Sequence, residues 1–250
     1  MIIVKTADEL VKMRASGRMA ATVRDEVAGR VAPGVTTGEL ADFAGKRIIA
    51  LGGESAFLGY HGYPGQICVS VNDEVVHGIP GSRRIEIGDI VSIDVGVLYD
   101  GYIGDTATTV MVGVTDREVI NLVKTTEAAL YAGIAKACAG ARLSDVSHAI
   151  EQVGKQAGLF VVRDFVGHGV GKTMHEEPQV PNFGKPGRGP RLKTGTTIAI
   201  EPMFNMGSAG VDVQADGWTV LTRSRRPSAH FEHTVAVCDG RAEILTVGQE

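Results

Sequence analysis

Asp94-Val95-Gly96-Val97-Leu98-Tyr99-Asp100-Gly101-Tyr102-Ile103-Gly104-Asp105 is the stretch on which the reading of this chain turns. Asp-Gly between two apolar, β-rich runs is a strong two-residue hairpin signal. With Asp100-Gly101 as the turn, Tyr99 faces Tyr102, Leu98 faces Ile103 and Gly96 faces Asp105. Side chains two apart on a strand share a face, as do directly opposed ones. Asp94 and Asp105 then become diagonal neighbours on one face. Two carboxylates held that close repel, and a pKa rises unless a cation lies between them. A pair of divalent ions about 3.5–4 Å apart removes the penalty. The plain alternative is two surface aspartates on an edge hairpin. The preceding run Ile90-Val91-Ser92-Ile93 reads as buried and argues against it.

Outward from the hairpin, 250 residues that are 44% hydrophobic can bury the core of one large domain. A net charge of −4 gives no broad nucleic-acid footprint. The short basic clusters Arg188–Arg191 with Lys193, and Arg223 with Arg225 and Arg226, could touch an anionic partner, though such clusters are more often solvated loops. Cys68, Cys138 and Cys238 form no CxxC, so no zinc ribbon or redox motif is expected. The run from Met1 is too short for a signal peptide, and no apolar span reaches membrane length, so a soluble cytoplasmic protein is expected.

The chain reads as containing itself twice. Thr6 with Glu9 and Thr36 with Glu39 form capping boxes that open helices, one to about Arg30 and one to Gly52-Gly53. Helices are expected again from Asp116 to about Ala139 and from Ser144 to near Gly158. Gly34 matches Gly140, and at nearly the same offset Gly88–Asp94 matches Gly195–Glu201; both of these are Ile-rich strands ending on a carboxylate. The expected architecture is a single α+β domain of two related halves, about 1–113 and 114–250, with helices covering a sheet. The symmetry predicts Asp94 and Glu201 on facing strands near the axis, and makes Asp212 the formal counterpart of Asp105.

Three further residues join the acidic pair. His168 lies in Gly167-His168-Gly169-Val170-Gly171 after a strand-like Phe165-Val166, Glu201 precedes Pro202-Met203, and Glu232 opens a strand-like run to Val237. Taken singly, such a glutamate is usually solvent-facing and such a histidine structural. Together, Asp94, Asp105, His168, Glu201 and Glu232 form a hard, oxygen-rich donor set suited to manganese, iron(II) or cobalt. Four carboxylate charges balance two divalent cations.

The order of these five residues resembles the dinuclear metallopeptidases of the pita-bread fold. The surrounding words resemble type I methionine aminopeptidases: His61-Gly62-Tyr63-Pro64, Cys68 to Asn72, His77-Gly78-Ile79-Pro80, Gly167-His168-Gly169, His175-Glu176-Glu177-Pro178, Glu201-Pro202-Met203 and Phe231-Glu232-His233-Thr234. The resemblance covers essentially the whole chain. It implies a pseudo-twofold fold with a central, mostly antiparallel sheet covered by helices. It implies two divalent ions, with Asp94 on one, His168 and Glu201 on the other, and Asp105 and Glu232 bridging. The reaction it implies is removal of N-terminal methionine before a small second residue, by attack of a metal-bridged hydroxide. His175 is then the oxyanion donor, His77 faces the scissile amide, and Glu201 moves the proton.

The methionine pocket implied by the resemblance is Tyr60, Tyr63, Cys68, His77 and Trp218, joined by Phe57 and Met174. Relatives often carry an aromatic at the Met174 position and a smaller residue at Phe57. Asp212, His61, His148, His230 and His233 have no ligand role in the family. Prolidases and aminopeptidase P share the five ligands but usually carry a large N-terminal domain. Type II methionine enzymes carry a helical insertion for which the intervals from His168 to Glu201 and Glu232 leave no space. A non-catalytic pita-bread binding module would have lost ligands. The expected partners are N-terminal Met-small-residue peptides, with any ribosome contact made by the catalytic domain's own surface. No membrane or specific nucleic-acid sequence is expected, and the protein is expected to be a monomer.

Overall fold

The computed structural model describes residues 1–248. Helices α1 (Ala7–Ala28) and α2 (Thr37–Ala50) lead into β1 (Glu54–Ser55), β2 (Cys68–Val71), β3 (Glu74–Val76), β4 (Ile90–Tyr99) and β5 (Tyr102–Met111). Both helices open on the expected capping boxes. The Glu9 and Glu39 carboxylates accept from the Thr6 and Thr36 backbone N–H groups at 2.9 and 2.7 Å, and the threonine hydroxyls accept in return. Helices α3 (Arg117–Ile134) and α4 (Leu143–Gln156) follow. The remaining strands are β6 (Phe160–Val161), β7 (Gly167–Gly169), β8 (Glu176–Val180), β9 (Thr197–Ile200), β10 (Met203–Asn205), β11 (Val211–Val213), β12 (Val220–Thr222), β13 (Ser228–His230), β14 (Glu232–Ala236) and β15 (Glu243–Ile244).

Two helix boundaries differ from expectation. α3 stops at Ile134 instead of Ala139, because tertiary partners take over the backbone: Ala139 N–H donates to Cys238 O and Gly140 N–H to Leu192 O. α4 starts one residue before Ser144. The Asp145 carboxylate accepts from the Arg142 N–H, while the Ser144 hydroxyl is drawn instead to the Arg188 backbone.

Nine strands form the main sheet, in the order β1-β4-β5-β14-β9-β7-β8, with β2 paired to β4 and β15 to β14. All its pairings among the described residues are antiparallel. The central hairpin has the predicted register, Tyr99 opposite Tyr102 and Gly96 opposite Asp105. Asp100 (φ 49°) and Gly101 (φ 77°) both turn left-handed, as a two-residue type I′ loop requires. Two smaller sheets, β13-β10-β6 and β11-β12-β3, flank the main one.

Alternation along β4 separates core from site. Val91, Ile93, Val95 and Val97 join Ala20, Val23, Leu40 and Ile48 of α1 and α2 in one core. Leu122, Leu130 and Ile150 of α3 and α4 pack on Ile198, Ile200 and Val235 in another. The even-numbered side of β4, with Asp94 and Gly96, is left for the site. α1 crosses β5 at backbone contact, where a methyl group on Gly104 would lie 2.5 Å from the Gly17 Cα. Asp94 and Glu201 do not sit on facing strands, since β5 and β14 lie between β4 and β9. Asp212 is displaced further, onto β11 in a separate sheet. Asp212 is displaced because β4 and β5 are joined by two residues, whereas residues 201–231 intervene between β9 and β14 and supply four strands, β10 to β13, to the small sheets.

Candidate active site

Two strand interiors and two strand ends deliver the acidic residues to one place. β4 carries Asp94 and β5 carries Asp105, Glu201 immediately follows β9, and Glu232 is the first residue of β14. The chain leaves β9 at Glu201-Pro202 as expected, and Asn182 Nδ2 donates to the Glu201 carbonyl at 2.9 Å. His168 occupies the middle of β7. Phe165 and Val166, expected to be strand, lie outside any strand, with Phe165 in a bend before it. The glycines around His168 are demanded by close approach: a methyl group on Gly167 would lie 3.1 Å from the Val180 Cβ, and one on Gly169 would lie 2.7 Å from the Glu177 carbonyl carbon.

The cluster is tight and largely buried. Glu232 is 2% and Asp105 3% exposed, so Glu232 is not the solvent-facing residue that its strand alone suggests. His168 Nε2 lies 3.6 Å from Asp105 Oδ2 and 3.5 Å from Glu201 Oε1. Burial together with neighbouring charge drives Asp94, Glu201 and Glu232 well above the usual carboxylate range. Burial raises Asp105 to about 7. His168 falls to about 4, chiefly through burial. Its Nδ1–H donates to the Gly169 carbonyl at 2.9 Å, leaving the Nε2 lone pair turned to the acids.

The donor chemistry fits divalent cations. Asp94 Oδ1, Asp105 Oδ1 and Glu232 Oε1 are buried with no hydrogen-bond partner. Donor atoms of Asp105, His168 and Glu232 all lie within 4.8 Å of one another. Buried anionic oxygens without donors are costly and call for a cation.

A cavity of about 140 Å³ opens over the cluster, and its wall includes every site residue named from sequence: the five cluster residues together with Phe57, Tyr60, Tyr63, Cys68, His77, Met174, His175 and Trp218. Tyr60 Oη and His175 Nδ1 are 2.7 Å apart, and the His175 ring stands 4.3 Å from that of His168. His77 holds φ 60°, and burial lowers it to about 4. Trp218 meets Tyr63 edge-on at 5.1 Å. Phe57 and Met174 meet over Gly96, where a methyl group would lie 2.9 Å from the Met174 Cε. Sequence reading missed Val76, Phe165 and Val166 in the wall. Phe165 stands edge-on to His77 at 5.5 Å, and its nearness to His168 in sequence was the one available signal.

Other polar residues lie elsewhere. Asp212 is a surface carboxylate paired with Arg223 at 2.9 Å. His148 bonds the Gly184 carbonyl and His233 the Thr246 hydroxyl. His230 is buried with Nε2 unpartnered, 3.8 Å from Glu201 Oε2.

The model of metallopeptidase family M24 matches residues 11–239. This chain belongs to metallopeptidase family M24. The M24 chain is 48% identical to methionine aminopeptidase 1 of Bacillus subtilis over 98% of its own length and 99% of the relative's. It is 46% identical to the methionine aminopeptidase of Clostridium perfringens, covering 99% of each. The crystal structure of the Thermotoga maritima methionine aminopeptidase matches with a TM-score of 0.97 and 44% identity, over 99% of this chain and 100% of that one. Prolidase from Pyrococcus furiosus, at 22% identity and TM-score 0.80, shares the fold, and this chain spans 66% of it. The expected α+β pita-bread architecture and the resemblance to methionine aminopeptidases are borne out.

Proposed function

We propose that this M24 metallopeptidase is a methionyl aminopeptidase. In this reading it removes the first methionine of newly made chains whose second residue is small. The observation that carries it is the buried acid cluster with unpartnered oxygens on the floor of an aromatic- and methionine-lined cavity. Asp94, Asp105, His168, Glu201 and Glu232 would hold two divalent ions, of cobalt, manganese or iron(II). Bound there, the ions would supply Lewis acidity toward the scissile carbonyl and an acidified water.

The chain's own groups do the rest. Tyr60, Tyr63, Cys68, Phe57, Met174 and Trp218 take an unbranched thioether side chain, with sulfur–aromatic contacts worth about 0.3–1.5 kcal/mol each. The acidic floor selects a free α-amine, which limits cleavage to one residue. Burial keeps the Tyr60 hydroxyl protonated, so Tyr60 donates to His175 Nδ1 and leaves Nε2–H to meet the developing oxyanion. His77 bounds the space for the second residue. Glu201 accepts the proton given up by water and passes it to the leaving amine. The three free cysteines suit a reducing cytoplasm, and no helix among the described residues is long and apolar enough to cross a membrane.

The test is a peptide panel with defined metals. Met-Ala and Met-Gly peptides should be turned over, and Met-Leu and Met-Lys peptides hardly at all. Asp105→Asn should abolish turnover and lower metal content, whereas Asp212→Asn should do neither. Equal rates on Met-Leu and Met-Ala, or two aspartate variants that behave alike, would sink the reading. Rapid cleavage of Ala-Pro peptides would favour an aminopeptidase P activity instead.

A further inference from the structure

Lys5 and Glu176 form an ion pair of 2.5 Å whose side chains are only 4% and 5% exposed. Nothing in the reaction as described uses either group. Removing two charges from water is costly, and a buried pair of this kind is often no more stable than apolar residues of the same shape. Its placement suggests what it does instead. Glu176 is the first residue of β8, directly after His175. Its second oxygen, Oε1, accepts from the Lys172 N–H at 3.1 Å, so one carboxylate closes the loop 172–176 that presents both Met174 and His175 to the cavity. The loop is held at its start as well, where Ile103 N–H donates to Gly171 O at 2.8 Å.

Lys5 ties that loop to a second element. Its backbone N–H donates to Gly195 O at 2.8 Å, and Val4 bridges Thr196. Both contacts lie just before β9, whose far end leads into Glu201. The lysine stem then crosses to Glu176 over Gly171, where even a methyl group would lie 2.7 Å from its Cε. Lys5 therefore joins, through its backbone, the turn that leads into β9 and, through its side chain, the loop that delivers His175.

We infer that Lys5 and Glu176 are positioning residues, a buried strut that fixes His175 relative to Glu201. This rests on the roles given above to those two residues. A misplacement of about 1 Å at a reacting group can cost on the order of 10²-fold in rate, so the strut should matter for turnover more than for folding. The decisive variant is Lys5→Met with Glu176→Gln, which keeps shape and the Lys172 contact but removes both charges. Full-length, metal-loaded protein is assayed on a Met-Ala peptide. The expected result is a kcat lowered about 10- to 10²-fold, with KM, metal content and Tm close to those of the parent, and faster amide exchange confined to segment 171–176. A parental kcat, or a loss that only tracks Tm or metal content, would overturn the inference. Should the double variant fail to fold, Lys5→Arg keeps the charge but crowds Gly171; a lowered kcat supports the strut and an unchanged one overturns it. The parent protein and His175→Ala are run beside these variants. An inactive parent, or an active His175→Ala, would count against the aminopeptidase reading rather than against the strut.

Discussion

At His168 a single carbonyl sets the chemistry of the ring. Gly169 O can only accept, so Nδ1 must carry the proton and Nε2 must face Asp105 and Glu201 as a lone pair. At His175 the orienting partner is a phenol, and its effect is testable. Tyr60→Phe keeps the ring in the pocket wall and removes only the hydroxyl. The hydrogen bond is worth about 0.5–1.5 kcal/mol, so kcat should fall roughly 2- to 13-fold with KM and metal content unchanged. His175→Ala should cost about 10²–10³. In the His175→Ala background, Tyr60→Phe should cost nothing further, because the two act as one unit. Additive losses in the double-mutant cycle would show that Tyr60 acts on substrate directly.

Among the elements, the β4–β5 hairpin controls the site most directly, since its register alone makes Asp94 and Asp105 neighbours. Its turn and its packing bear differently on stability. Gly101 has φ 77° and open space around it, so Gly101→Ala meets only backbone strain, about 1–2 kcal/mol. Gly104 has ordinary backbone conformation but lies against the Gly17 backbone of α1. Gly104→Ala must push a helix off the sheet, and overpacking of this sort costs about 1–3 kcal/mol or more. We expect urea midpoints to fall for both variants. Metal affinity should fall clearly only for Gly104→Ala, which displaces the strand one residue from Asp105. The reverse order of metal affinities, measured by titration, would mean that the turn rather than the helix contact holds the site.

For the molecule as a whole, the acid cluster makes metal-free stability depend on pH. Asp105 ionises near 3.8 when unfolded and near 7 when folded, because burial disfavours its charge. Its contribution is fully present below 3.8 and is lost as pH rises through about 7. Asp94, Glu201 and Glu232 are shifted in the same direction. His77 and His168 are shifted down to about 4, so their contribution is lost as pH falls from 6.5 toward 4. Between pH 8 and 6.5 the carboxylates therefore govern. The Tm of chelator-treated protein should rise as pH falls through that window. The increase in Tm on adding manganese should shrink over the same window, as protons compete for the ligands. A metal-free Tm that falls from pH 8 to 6.5 would mean that the acids are not packed together without a cation. At this scale we also read residues 1–113 and 114–250 as related halves. The support is the mirrored strand order β4-β5 and β14-β9 about the sheet centre, with a helix pair preceding each.

Local chemistry made much of this legible before any fold was known. The capping boxes at Thr6 and Thr36 and the Asp100-Gly101 turn are decided by neighbours a few residues apart, and each stands where the sequence puts it. The five acid and imidazole residues could be nominated because their types share one chemistry. Other features needed long-range contacts. The end of α3 was set by Cys238 and Leu192, residues distant in sequence, competing for its backbone. Apparent repeat symmetry pointed to Asp212, but residues 202–231 carry that position into another sheet, and nothing in the local pattern reports where a long connection folds. Glu232 and Phe165 read alone as a solvent-facing strand residue and a strand residue, yet both line the cavity. Lys5 and Glu176 lay beyond any sequence motif, because a buried pair between distant segments exists only once β9 and the His175 loop have been brought together. The sequence determined which chemistry is available and which short elements form. The tertiary structure decided which groups meet, because burial and distance, and with them the pKa values, are properties of the packed chain.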